Sequence, residues 1–158
     1  MALVIEDGTG VAGADSYITV AEYNAWINAR ITTHTDTDAV VESRILRAMD
    51  YFEALDFKGS KQSSTQALQF PRYNLMIDGY PVYSDTIPDI VKKALYEIVY
   101  ADERGYGLFA DVARKTKREK VDVLEVEYSD SSASRVMIPA AAAYLRKLIK
   151  SSNVVSRA

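Results

Sequence analysis

Between Asp38 and Phe57 the apolar residues Val41, Ile45, Ala48, Met49, Phe52 and Leu55 recur at steps of three and four. That spacing holds them on one side of a helix of about five turns. Arg44, Arg47, Asp50 and Glu53 fall mainly on its other faces, with Arg47 read as a solvated base rather than a subunit contact. A second stripe, Val91, Ala94, Leu95, Ile98 and Val99, predicts another helix. Its start is marked by the cap pair Thr86 and Asp89 with Pro88 in the first turn, and its end by Gly105. Tyr96 and Tyr100 widen its apolar face, so this helix is either central to the core or pressed on a neighbouring subunit. A shorter helix starts after Thr19, where Glu22 completes a capping box and Ile18 and Tyr23 are placed to staple across it. It carries Trp26 and Ile27 on the same face as Tyr23 and ends near Arg30, before the polar linker TTHTDTD. Pro139 opens a fourth helix with Tyr144, Leu145, Leu148 and Ile149 on one side.

Elsewhere the helical period is lost. Residues 58–87 form a long connection with no clear repeat, although Leu68, Phe70, Tyr73, Leu75, Met76, Ile77, Tyr80, Val82 and Tyr83 lie within it. Long connections in compact domains are commonly functional, and these side chains need cover from the domain or from a partner. Tyr73, Met76, Tyr80 and Tyr83 are the candidate apolar interface residues. Over residues 114–130, RKTKREKVDVLEVEYSD, the alternation of Val121 and Val123 slips by one before Leu124, Val126 and Tyr128. A slip of one residue is the mark of a turn or bulge between strands. The stretch predicts a hairpin, 115–121 against 124–130, with its turn at Asp122-Val123. The architecture expected is mainly α: a small bundle of about four helices with a β-hairpin and a long ordered connection. One domain spans 1–150, with an N-terminal arm over 1–16, and 151–158 form a flexible tail.

The chain has 158 residues, no cysteine and one histidine. A chain of this length buries enough surface to fold without a disulfide or metal, and thiolate chemistry and Cys-ligated zinc are excluded. His34 alone makes no multi-histidine metal site, lies near no nucleophile motif, and reads as a solvated loop residue. The arm's GTGVAG lacks the Gly-Lys-Ser/Thr of a phosphate-binding loop and the βαβ setting that such a loop needs, and reads as a flexible or docked arm. No paired carboxylates sit in an apolar setting, so no enzyme activity, cofactor or metal is expected. No apolar run approaches the length of a membrane span, and the N-terminus is too short and too acidic for a signal peptide.

Net charge is −3, so nucleic-acid binding by the whole surface is not expected. Any such binding would be local, and the candidate patch is Arg114, Lys115, Lys117, Arg118 and Lys120, five bases around one acid, Glu119. Cross-strand pairing with Glu125 and Glu127 would equally account for these charges. The chain's eleven tyrosines are possible stacking surfaces for bases.

Four blocks in order, EDGTGVAGADSYITVAEYNAWI, QALQFPR, DGYPVYSDTIPDIVKKALYEI and KREKVDVLEVEYSD, resemble a family of tailed-phage and prophage proteins. Its members are often labelled DnaT-like single-stranded-DNA-binding proteins, and they also look like head–tail connectors, or adaptors. The resemblance covers nearly the whole chain to about residue 150. It implies a structural virion protein that forms a ring, dodecameric in such connectors, under the portal. The ring would extend the DNA channel and dock a stopper or tail-terminator protein. Its place would be the virion neck, after assembly in the host cytoplasm, with non-specific contact to packaged duplex DNA and none to a membrane. The arm, the long connection and the hairpin would supply the unlike faces that a ring needs. Relatives carry Gly-Pro where this chain has Asp122-Val123. On this reading the basic run serves strand pairing and subunit or portal docking. The alternative is a single-stranded-DNA-binding protein of phage replication.

Overall fold

The computed structural model describes residues 3–31, 34–109 and 138–150, and the backbone of 116–118 and 127–128. Four helices are present among them: α1 (Val20–Asn28), α2 (Asp38–Glu53), α3 (Asp89–Glu103) and α4 (Pro139–Leu148). Three two-stranded antiparallel ladders accompany them, β1 (Ser60–Lys61) with β2 (Arg72–Tyr73), β3 (Met76–Ile77) with β4 (Tyr80–Pro81), and β5 (Thr116–Arg118) with β6 (Glu127–Tyr128). The fold is mainly α with small hairpins, as the periodicity predicts.

The capping box of α1 forms reciprocally. The Thr19 hydroxyl accepts from the Glu22 amide at 3.0 Å, and the Glu22 carboxylate accepts from the Thr19 amide at 2.8 Å. Ile18 and Tyr23, on either side of the cap, are fully buried. Helix α2 stops at Glu53, short of the expected Phe57. The reason lies in Phe57, whose ring leaves the helical path to pack 4.7 Å from Phe52 and 5.0 Å from Phe70, centroid to centroid. With Tyr17 set edge-on to Phe52 and Phe70, these rings form an aromatic centre to the core.

Helix α3 is the axis of the domain and packs mainly on α4 and α2. Its start differs from expectation. Pro88 is itself the N-cap, and no side chain caps the helix; the Thr86 hydroxyl turns to Asp85 instead. Its end is a Schellman motif: the Gly105 amide donates to Asp102 O and the Tyr106 amide to Ala101 O, both at 3.0 Å. That geometry needs the left-handed conformation that Gly105 adopts, φ 78°. The wide apolar face is covered within the chain. Trp26 of α1 stacks on Tyr96 at 5.4 Å and meets Tyr100 edge-on. Of the two readings of α3, the central one holds.

The arm is docked. The Glu6 amide donates to Ser16 O, Ile5 bridges Ser16, and Gly8 lies so close to the backbone of Asp85 that a Cβ there would sit 2.2 Å from its carbonyl oxygen. In the hairpin, Arg118 stands opposite Glu127, the register that a turn at Asp122-Val123 would produce. A register irregularity lies between Thr116 and Arg118, away from the slip expected at Val123-Leu124. The turn itself and the tail 151–158 lie outside the described residues.

Candidate functional site

The 58–87 connection has no helical period because it is organised by one buried cation. Arg72 is buried, and its guanidinium donates to five oxygens. Nε reaches Lys58 O at 2.7 Å. Nη1 reaches Gln69 O at 3.1 Å and Gln69 Oε1 at 2.8 Å, while Nη2 reaches Phe57 O at 3.3 Å and Gly59 O at 3.0 Å. Burial lowers its pKa, against the opposing charge of Glu53 nearby. Glu53 accepts from the Tyr17 hydroxyl at 2.8 Å and from the Gln69 amide at 2.7 Å. Burial raises its carboxyl above the ordinary value in spite of those bonds. Phe70-Pro71 is a cis peptide. These interactions turn an apparently irregular segment into a fixed platform.

On that platform β3 and β4 form a tight hairpin whose turn is Asp78-Gly79, with φ values of 52° and 86°. Two consecutive positive φ values are what a two-residue hairpin turn of the primed type requires. The sequence analysis missed this hairpin, although the Asp-Gly dipeptide is among the strongest signals for one. Leu68, Phe70 and Leu75 turn into the core, whereas Tyr73, Met76, Tyr80 and Tyr83 remain exposed. Tyr80 is 76% and Tyr83 81% exposed, far more than a tyrosine held for packing needs.

The end of α4 is brought to the same place. The Lys58 amide donates to Leu148 O at 2.8 Å, the Lys150 amide to Asp56 O at 2.9 Å, and Phe57 bridges Ile149. Lys58 Nζ caps Lys147 O at 3.0 Å, and Lys147 Nζ reaches Asp78 at the hairpin turn at 2.6 Å. The end of α4 thus meets a hairpin distant in sequence through Lys147.

Other expected candidates fall elsewhere. Lys117 and Arg118 lie in β5, where only the backbone is described, and Arg114, Lys115 and Lys120 lie outside the described residues. Arg47 is solvent-exposed, as expected, at 55% of its side chain, but it is not simply a solvated base: it pairs at 2.9 Å with Asp102, whose side chain is buried. A buried carboxylate requires such a partner. His34 is not a solvated loop residue either, because its side chain is 4% exposed and its Nδ1 lies 3.2 Å from Glu103. The first three amides of GTGVAG are engaged internally, those of Gly8 and Gly10 donating to Glu6 Oε1 and that of Thr9 to Asp7 Oδ1, each at 2.9 Å. A loop that resembled an anion site is filled by the chain's own carboxylate. Among the described residues no helix is long and apolar enough to cross a membrane.

A family model described as "Putative DnaT-like ssDNA binding protein" matches residues 1–158. No curated protein and no solved structure matches the chain. The family match corrects the function expected from the sequence, because it speaks for the single-stranded-DNA alternative and not for a head–tail connector. The arm and much of the connection pack within the chain, through Gly8 against Asp85 and through the buried Arg72.

Proposed function

The chain belongs to the DnaT-like single-stranded-DNA-binding family, and from that membership we propose that it binds single-stranded DNA without sequence preference. The observation that carries the reading is the family match along the whole chain. The surface that fits it best is the exposed tyrosine cluster of the connection. Tyr73, Tyr80 and Tyr83 offer rings to unstacked bases, and Met76 adds apolar contact. Stacking suits a sequence-tolerant binder, because every base has a π-face. Lys58 and Lys61 belong to the platform and Lys150 adjoins it at Asp56, which supplies positive charge, while Lys147 is paired with Asp78. The basic run 114–120 supplies a second source whose sequence is compatible with phosphate contact. The chain's net charge of −3 then confines binding to these local patches.

The test is fluorescence anisotropy with labelled oligothymidine and with a duplex of equal length, over a range of salt. Replacing both Tyr80 and Tyr83 by Ala is expected to weaken binding at least about tenfold, because each stacked base contributes about 1–3 kcal/mol. The salt slope should not change, since no charge is lost. Lys115, Lys117 and Lys120 to Glu should lower low-salt affinity and flatten the slope if the run contacts phosphates. Absence of oligothymidine binding at low salt, or an equal affinity for duplex, overturns the proposal.

A further inference from the structure

Three residues whose chemistry the DNA reading leaves unused meet at the end of α3. His34 and Asp36 come from the linker between α1 and α2, and Glu103 from the last turn of α3. One potential ligand atom from each lies within 4.8 Å of the others. We infer that His34, Asp36 and Glu103 form a site for a divalent first-row transition ion of the zinc class.

The donor set fits borderline ions, with one imidazole nitrogen and two carboxylates. Bonds of about 2.0–2.2 Å in a tetrahedral site put neighbouring ligand atoms about 3.3 Å apart. The His34 Nδ1 to Glu103 Oε1 distance of 3.2 Å already matches such an edge. Asp36 would close the third corner by a short movement of the linker that carries it.

The surroundings hold the ligands as a metal site requires. Tyr23 donates to the other oxygen of Glu103 at 2.8 Å, which leaves Oε1 directed at His34. The Tyr23 ring also packs edge-on against the imidazole at 5.9 Å. Outer contacts of this kind fix the orientation of ligating groups. Hydrogen bonding accounts for one of the histidine's two ring nitrogens, Nδ1, which faces Glu103. Its side chain is 4% exposed, and Nε2 is buried with no partner among the described residues.

Arg44 is the opposing charge. Its Nη2 lies 3.0 Å from Asp36 Oδ2 and competes with a cation for that carboxylate. At 20% side-chain exposure it has a route to solvent. Binding would fasten the α1–α2 linker to the end of α3, a role separate from DNA contact.

The chain's single histidine makes the test unambiguous. The untagged full chain is titrated with Zn2+, and separately with Mg2+, by calorimetry, with the imidazole signals followed by NMR. The expected result is one Zn2+ per chain, a shift of the His34 ring resonances, and no such shift with Mg2+. His34→Ala and Glu103→Gln should each weaken Zn2+ binding at least tenfold, while Arg44→Met should tighten it. Glu103→Gln keeps an acceptor for Tyr23 and so distinguishes ligand loss from misfolding, which circular dichroism checks. No Zn2+ uptake at micromolar metal, or uptake equally strong in Glu103→Gln, overturns the inference.

Discussion

Arg72 is the residue on which the long connection depends. Four of its five acceptors are backbone carbonyls, and removing the guanidinium takes this donor from all of them in a largely buried setting. Arg72→Leu is therefore expected to cost about 3 kcal/mol of unfolding free energy. Arg72→Lys should recover little of it, because an ammonium cannot span the same fork of acceptors. Urea denaturation of both variants measures this. A loss below about 1 kcal/mol in Arg72→Leu would show that water replaces the guanidinium without penalty. Proteolysis within 58–87 should rise in parallel, since the same bonds hold that backbone in place.

At the scale of elements, α1 is secured at its start by a charged box and not by burial alone. Glu22 serves two partners, the Thr19 amide and Lys92 of α3, whose Nζ lies 2.7 Å away. Burial works against its charged form. The hydrogen bonds from Lys92 and Thr19 and the charge of Lys92 outweigh it, so the carboxyl lies below its ordinary value of 4.5. A carboxyl with a lowered folded-state value stabilises the fold fully above the unfolded value and loses that contribution as pH falls through the folded one. Glu22→Gln is accordingly expected to be less stable than the parent by about 1 kcal/mol at neutral pH, the usual size of a cap effect. The two proteins should converge in acid. Thermal unfolding of both across pH reads this directly, and a difference independent of pH would assign the effect to packing.

The whole molecule is closed by α4, which returns to the connection after packing on α3. Leu148 is fully buried, and its carbonyl accepts the Lys58 amide. Leu148→Ala is expected to lower stability by about 2–5 kcal/mol, the range for emptying a leucine-sized volume in a core. Because α4 and the platform share this contact, amide exchange at Lys58 and Lys150 should accelerate together with exchange in α3. Acceleration confined to α4 would make that helix a separate appendage. The platform's exposed tyrosines therefore depend on a helix more than fifty residues away in the chain.

Sequence periodicity by itself determined the four helices, the capping box at Thr19 and Glu22, the stop at Gly105 and the register of Arg118 against Glu127. Each is a local effect: a stripe, a cap or a slip is written in neighbouring residues. The Asp78-Gly79 hairpin was also legible there and was overlooked among residues without a repeat. Tertiary structure alone decided the rest. Nothing adjacent to Arg72 marks it as buried, because its acceptors come from two separated segments that meet only in the fold. Nothing adjacent to His34 announces Glu103, which lies on another helix. Nor does the connection's composition distinguish Phe70 and Leu75, which fill the core, from Tyr80 and Tyr83, which face solvent. Burial is a property of what arrives from elsewhere in the chain, and the last arrival here is α4, with Leu148 against Lys58 and Lys147 against Asp78.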